Sequence, residues 1–280
     1  MGTRRDFIKT LSISAAAGII LPLSSFVTNK NKPYGLILYT VREDMKKNPI
    51  KTLESIASIG FDVLESAGYD SRKYYGMKPA EFKQKVESLG MKVISSHHAI
   101  NPKKIDEIVE DASEAGIEYV VFPWMQSGNL DYYKEKAEQF NKFGEAFNKA
   151  GIRFCYHNHD FEFKETEGQI PYNVLLENTD PELVALEMDL YWISKVGFDP
   201  TEYFKKYPGR FELWHVKDMK NDDKKSFTEV GNGTIDFDKI FSKKNTSGMR
   251  YYFVEEDTCL DYSPLESIKI SLDYIKKKKF

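Results

Sequence analysis

Residues 131–160 read DYYKEKAEQFNKFGEAFNKAGIRFCYHNHD, and this stretch decides the fold. Apolar residues recur every three or four positions in its first part, which predicts an amphipathic helix. Gly151 follows, and glycine is the residue that most readily ends a helix in the left-handed conformation. The predicted strand IRFCYHNH (152–159) comes next and closes on His157 and His159. A helix followed directly by a strand with a polar end is the repeating unit of a parallel α/β sheet.

The same unit recurs along the whole chain from Tyr34 onward. Strand-like runs alternate with helical patterns at 35–40, 61–66, 92–97, 119–124, 152–159, 183–189, 211–218 and 251–257. The count is eight, and polar strand ends occur on most strands instead of at one switch point, so closure into a (β/α)8 barrel is favoured over an open sheet. No linker, internal repeat or change of composition interrupts the pattern. We therefore predict a single catalytic domain over residues 31–280.

Residues 1–30 read as a leader that is not part of the barrel. The segment TRRDFIK (3–9) matches the twin-arginine export pattern, and an apolar stretch follows from Leu11 to Phe26. That stretch is short for a membrane span, which needs about 20 apolar residues. Export, to a periplasmic location, is the expectation. No clean cleavage site is visible, so a retained anchor stays open, and no membrane span is expected beyond the leader.

Composition excludes several classes of protein. The formal net charge is −3 and the only basic block is KKKK at 276–279, which argues against a nucleic-acid partner. Two cysteines, Cys155 and Cys259, do not make a disulfide framework and are expected to be buried thiols. The sequence has no nucleophile elbow, Walker loop or dinucleotide-binding glycine motif, which disfavours serine hydrolases, kinases and dehydrogenases.

All five histidines lie at the C-terminal ends of predicted strands, and two further strands end in acids. Inward-facing side chains at that rim of a barrel point toward one centre. Imidazoles and carboxylates together suit Mn²⁺, Co²⁺, Zn²⁺ or Fe²⁺ better than Ca²⁺. We predict one divalent metal ion, held by His157 or His159 together with Asp189, His215 and Glu255.

Other groups on the same rim are candidates for binding a polyol, namely Tyr39, Arg42, Glu65, His97, Trp192 and Lys217. Trp192, three residues after Asp189, is placed to stack on the apolar face of a sugar. Lys217 shares a face with His215 and is expected to donate a hydrogen bond or stabilise an oxyanion, with an ion pair to Asp218 or Glu212 as the alternative. Trp124 and Trp214 are expected in walls or core, and Glu256 in packing. The loop Lys220–Gly233 is predicted to be a plain connector, although a phosphate-binding loop is an alternative.

The motifs LYTVRED, SSHH, YHNHDFEF, EMDLYW, HVKDM, EVGNGTIDF and FVEED together resemble the xylose-isomerase-like TIM-barrel superfamily, in its sugar phosphate isomerase/epimerase branch. The resemblance covers nearly all of residues 34–280. It implies one divalent metal bound by a Glu, an Asp, a His and a Glu from strands 5 to 8, and the last three match Asp189, His215 and Glu255. Strand 5 departs from that pattern, because His157 and His159 stand where relatives place the glutamate.

The resemblance implies a metal-dependent isomerase or epimerase that removes the proton next to the carbonyl of a keto-sugar. Glu255 or a strand-5 histidine, His157 foremost, is the expected base, with Lys217 in support. A lyase that eliminates a group from a 3-keto-glycoside shares the first step and is the alternative. A non-catalytic exported carbohydrate-binding barrel is a third option. A nuclease of the superfamily is disfavoured by the acidic charge. A homodimer is compatible with such a barrel.

Overall fold

Eight parallel strands pair in sequence order and close on themselves in the computed structural model, which describes residues 32–280. The first strand pairs with both the second and the eighth, so the sheet has no open edge. The predicted single-domain (β/α)8 barrel is therefore confirmed. The strands are β1 Gly35–Ile37, β2 Val63–Ser66, β3 Lys92–His97, β4 Tyr119–Phe122, β5 Arg153–His157, β6 Val184–Asp189, β7 Leu213–Val216 and β8 Tyr251–Val254.

Helices cover the outside of the barrel, and five of them begin at a proline, whose fixed φ suits the first helical position. α2 and α4 end at Gly60 and Gly116 with φ of 104° and 71°, the left-handed cap that the sequence indicates. The helices are α1 Arg42–Lys47, α2 Pro49–Ile59, α3 Pro79–Ser88, α4 Ile105–Ala115, α5 Leu130–Asn148, α6 Pro171–Asn178, α7 Leu190–Lys195, α8 Pro200–Lys206, α9 Phe237–Phe241, α10 Lys244–Ser247 and α11 Pro264–Lys278.

The inside of the barrel is divided into an apolar part and a polar part. Since strand side chains alternate between faces, residues two apart share the same face. Cys155, Ala185, Leu213 and Phe253 form part of a buried apolar cluster. Two positions further along the same four strands stand His157, Glu187, His215 and Glu255. The apolar cluster thus forms the floor beneath a polar C-terminal mouth.

The loop after β7 is more structured than a plain connector. Asp218–Met219 pairs with Phe227–Thr228 as a short antiparallel ribbon, which is why β7 ends at Val216 and not at the predicted residue 218. The Asp218 carboxylate accepts the backbone N–H groups of Met219, Gly231, Gly233 and Ile235. These N–H groups are therefore not available to a phosphate, and the loop is not a phosphate cradle.

The predicted leader, residues 1–30, lies outside the described residues. Within residues 32–280, no helix combines the length and apolar character that crossing a membrane requires. Both cysteines are free thiols; Cys155 is buried, as expected, and Cys259 is only partly buried.

Candidate metal centre and substrate pocket

Asp189 stands at the junction of β6 and α7 and uses its two carboxylate oxygens differently. Oδ1 accepts the backbone N–H groups of Tyr191 and Trp192, both at 2.9 Å, and so caps α7. Oδ2 is buried and makes no aligned hydrogen bond with the described residues, and Lys217 Nζ lies 2.8 Å from it. The cap fixes the carboxylate, and the second oxygen points toward the barrel axis, where His215 and Glu255 lie.

Three buried ligand atoms converge at this point. Asp189 Oδ2, His215 Nδ1 and Glu255 Oε2 lie within 4.8 Å of one another, and none makes an aligned hydrogen bond within residues 32–280, although the Lys217 ammonium lies within ion-pair distance of both oxygens. His215 Nδ1 is only 2.5 Å from Glu255 Oε2, without the alignment of a hydrogen bond. Buried polar atoms are normally paired, so an unaligned cluster of imidazole and carboxylate donors fits a divalent cation.

The structure distinguishes the two histidines of the strand-5 segment. β5 ends at His157, and its Nε2 lies 3.7 Å from Asp189 Oδ2. His159 belongs to the segment after the strand, where its ring stacks on Phe161 at 5.8 Å and lies 5.6 Å from Trp192. His157 is therefore the strand-5 residue beside Asp189, whereas His159 lines the pocket next to it.

Lys217 is buried among acids at the centre of the site. Its Nζ lies 2.8 Å from Asp189 Oδ2, 2.7 Å from Glu255 Oε2 and 3.1 Å from Asp257 Oδ2. The alternative ion pair with Asp218 or Glu212 does not form, because Asp218 binds backbone N–H groups and Glu212 pairs with arginines. Burial opposes the charge, but the three carboxylates raise the pKa of Lys217 well above its ordinary value.

The surrounding charges determine which groups of the site are ionised and which are neutral. Burial would raise the pKa of Glu255, yet Lys217 and His215 hold it well below its usual range, so Glu255 is ionised. Burial, together with nearby positive charge, lowers the pKa of His157 well below 6.5 and that of His159 to about 3. Both imidazoles are neutral near pH 7, which is the form that binds metals and accepts protons.

A second layer of polar residues lies directly beneath this group. Glu65 is completely buried; its Oε1 is 2.6 Å from His215 Nε2, and its Oε2 accepts the Ser95 hydroxyl at 2.5 Å. It therefore faces the histidines and not the pocket for which it was a candidate. Glu187, also completely buried, contacts His97, His157 and His215 through one oxygen. The sequence places Glu187 on the face of Asp189 but gives it no role.

A pocket of about 410 Å³ opens at the converging acids and imidazoles, and most of the predicted substrate-binding residues line it. Arg42 stands behind Tyr39, with its guanidinium 4.3 Å from the centre of the Tyr39 ring and hydrogen-bonded to the carbonyl of Asp257. Trp124, which we expected in a wall or the core, is 56% exposed at the mouth. The lining residues are Tyr39, His97, Pro123, Trp124, His157, His159, Trp192, Lys217, Phe227, Glu255 and Asp257.

The closed parallel barrel with acids and imidazoles at its C-terminal mouth defines a class of α/β-barrel proteins with a site suited to a divalent metal. The family model described as xylose isomerase-like TIM barrel matches residues 53–278. The chain belongs to this family.

Individual proteins with known or assigned activities also resemble this chain. An inosose dehydratase of Clostridium perfringens is 30% identical over 169 residues, which are 54% of this chain and 56% of that protein. The chain thus matches only a little over half the length of such curated relatives. Two crystal structures of sugar phosphate isomerase/epimerases from Parabacteroides distasonis superpose with TM-scores of 0.80 and 0.77, at 26% and 28% identity. They cover 89% and 88% of this chain, and the matches span 97% and 98% of those chains.

Proposed function

We propose that the protein is a divalent-metal-dependent sugar isomerase or epimerase that removes a proton next to the carbonyl of a keto-sugar. The observation that carries the proposal is the convergence of Asp189, His215 and Glu255 beside the ammonium of Lys217, at the base of a pocket with aromatic walls. The fold and the similarity to the Parabacteroides sugar phosphate isomerase/epimerases support a sugar as substrate.

Asp189, His215 and Glu255 would hold the metal, with His157 as the fourth ligand. A divalent ion bound there would polarise a carbonyl and an adjacent hydroxyl as a Lewis acid. Trp192, on the pocket wall, offers a ring face to the apolar side of a sugar. Its indole ring also lies 5.8 Å from the ammonium of Lys217, so the stacking surface and the charged group are neighbours.

The residues of the chain would then move one proton. Glu255 is ionised, and His157 and His159 are neutral, so each is a candidate base, and ligation of the metal limits which of them is free to act. As the base takes the proton, the C–H electron pair moves toward the carbonyl and negative charge develops on its oxygen. Lys217 is placed to donate a hydrogen bond to that oxygen. Delivery of a proton to the opposite face of the same carbon gives an epimer, whereas delivery to the former carbonyl carbon, with loss of the proton from the adjacent hydroxyl, gives an isomer.

Elimination is the second candidate, and the similarity to inosose dehydratases favours it. The first step is the same proton removal. The electron pair then expels an oxygen group from the β-carbon, and this group takes up a proton from the protonated base or from solvent. It would leave as water from a keto-cyclitol or as the aglycone from a 3-keto-glycoside. Isomerisation or epimerisation predicts exchange of a carbon-bound proton with solvent, and elimination predicts the formation of an eliminated product.

The test is to incubate protein loaded with Mn²⁺ with 3-keto-glucosides and with free ketoses in D₂O. Deuterium in recovered sugar supports isomerisation or epimerisation, and a released aglycone supports elimination. If the recovered sugar contains no deuterium and no aglycone is released, proton abstraction is rejected altogether. Thermal stabilisation by the sugar without either product would instead indicate a carbohydrate-binding barrel.

We also propose export through the twin-arginine pattern of residues 3–9. The full chain with Arg4→Lys and Arg5→Lys should stay in the cytoplasmic fraction, while the unaltered chain should reach the periplasmic fraction. Equal distribution of both forms would contradict this proposal.

A further inference from the structure

We infer that Glu187 and Glu65 are positioning residues that orient the rings of His157 and His215 by accepting one ring proton from each. The inference rests on the proposed metal centre, and it gives Glu187 and Glu65, which do not line the pocket, an orienting role in place of a ligand role. It predicts that His157 carries its ring proton on Nδ1 and that His215 carries a ring proton on Nε2.

Glu187 Oε2 lies at the centre of three imidazole nitrogens. The distances are 3.1 Å to His157 Nδ1, 2.9 Å to His97 Nε2 and 3.2 Å to His215 Nε2. Glu65 Oε1 lies 2.6 Å from His215 Nε2 and 3.0 Å from His97 Nε2. Both glutamates are completely buried, so imidazole N–H groups take the place of water around their charge.

An ionised carboxylate only accepts hydrogen bonds, so a nitrogen that faces it at this distance must carry a proton. His157 therefore holds its proton on Nδ1, toward Glu187, and its lone pair is left on Nε2, which lies 3.7 Å from Asp189. His215 holds a proton on Nε2, toward Glu65. Its Nδ1 also faces a carboxylate, that of Glu255 at 2.5 Å, and this is the nitrogen on which a bound metal would take the place of a proton.

The two glutamates are held by different means. Glu65 is anchored on both oxygens, by His215 on one and by the Ser95 hydroxyl on the other. Glu187 has no partner on Oε1 among the described residues, so its orientation depends on the imidazoles themselves. Within residues 32–280, Glu187 is also the only carboxylate within ion-pair distance of His157 Nδ1, so its removal should free the His157 ring while leaving His215 oriented by Glu65.

The experiment combines two readouts that do not depend on turnover. Protein with ¹⁵N-labelled histidine is examined by long-range ¹H–¹⁵N correlation spectra. The metal-free sample reports the ring protonation of His157, and the Zn²⁺-loaded sample reports that of both His157 and His215. Zn²⁺ affinity is measured by competition with a chelating dye. The variants are Glu187→Met, which removes the acceptor, and Glu187→Gln, which keeps a neutral one. Glu212→Gln, a buried glutamate at the opposite end of the barrel, is the matched control.

In the unaltered protein we expect a proton on His157 Nδ1 and on His215 Nε2. Glu187→Met should lose the His157 pattern and weaken Zn²⁺ binding by about 10–100-fold, the range for residues that orient metal ligands. The Zn²⁺ affinity of Glu187→Gln should lie between those of the unaltered protein and Glu187→Met. Glu212→Gln should match the unaltered protein in both spectra and affinity.

Two results would overturn the inference. One is a His157 proton on Nε2 in the unaltered metal-free protein, which decides the matter even if a variant does not fold. The other is a Glu187→Met variant with unchanged spectra and Zn²⁺ affinity. A failed D₂O experiment with the expected tautomers would reject the proposed reaction and leave the positioning role intact.

Discussion

The two ends of the barrel both contain buried charge, but they arrange it in opposite ways. At the N-terminal end, Glu212 accepts the Tyr119 hydroxyl and pairs with Arg153 and Arg250. A depression of about 600 Å³ opens there, and Arg153 and Arg210 in its lining donate to backbone carbonyls. At the C-terminal end, Asp189 Oδ2, His215 Nδ1 and Glu255 Oε2 crowd together without aligned hydrogen bonds. One end is arranged for stability, and the other retains unsatisfied groups for binding, as barrels of this type divide the two tasks.

The largest effect should come from Glu255→Gln at the C-terminal end. Losing this ionised carboxylate removes a metal ligand and a candidate base, so solvent-deuterium incorporation or elimination should fall by roughly 10²–10⁴-fold. Rates measured by mass spectrometry on equal amounts of folded protein provide the check, with Glu212→Gln as the control that keeps its rate. A Glu255→Gln variant with undiminished exchange would remove Glu255 from the mechanism.

Glu212→Gln should show the reverse pattern. The amide leaves Arg153 and Arg250 with weakened partners, so the free energy of unfolding should fall by about 2–3 kcal/mol. Urea denaturation followed by circular dichroism measures this loss. If Asp189→Asn at the other end destabilised the metal-free protein as much as Glu212→Gln, the proposed division between the two ends would be wrong.

Glu162 is a buried carboxyl near the C-terminal mouth, and within residues 32–280 no basic side chain pairs with it. It accepts the Tyr156 hydroxyl and the His159 N–H, and burial raises its pKa to about 8 from an ordinary value of 4.5. A raised pKa means that the folded state binds the proton more tightly. The stability due to Glu162 is thus complete below pH about 4.5 and lost as the pH rises through about 8.

Glu162→Gln, which cannot ionise, should therefore gain stability relative to the unaltered protein between pH 5 and pH 8. Thermal unfolding midpoints at steps of pH give the comparison. A constant offset between the two curves, with no change in their separation, would mean that Glu162 does not titrate in this interval.

The smallest effect on stability is expected for Trp124→Ala at the exposed mouth. Because the side chain is 56% exposed, the free energy of unfolding should change by no more than about 0.5 kcal/mol. If Trp124 contacts the substrate, KM should rise while kcat stays the same. An unchanged KM together with a large loss of stability would place Trp124 in the packing, as the sequence suggests.

Much of this architecture is readable from the chain because periodicity is local. Helical spacing followed by a glycine and a strand, as around Gly151, gives the repeat, and eight repeats give the barrel. The acids and imidazoles at the strand ends also indicate a shared site, since parallel strands end at the same rim.

Depth within the barrel was not readable, because alternation gives the face of a residue and not its height. Glu65 shows this, since the pairing of β2 with β3 shifts register between Leu64 and Glu65, and the carboxylate lies under the pocket. Strand alternation predicts His159 on the face of His157, but β5 ends before it and the chain turns away. The contacts of Glu187 join residues from three other strands, and no local pattern encodes them.

Asp218 anchors the loop after β7 in a way that lets part of this loop change in sequence. A single carboxylate collects the backbone around Gly231 and Gly233, and a Cβ at Gly233 would come within 2.3 Å of that carboxylate. The base of the loop is thereby locked, while residues 220–226 project from it and lead to Phe227 on the pocket wall. Insertions or replacements in this short arm can reshape the mouth without disturbing the strands, so altered substrate preference is most accessible to evolution, or to a protein engineer, at this point.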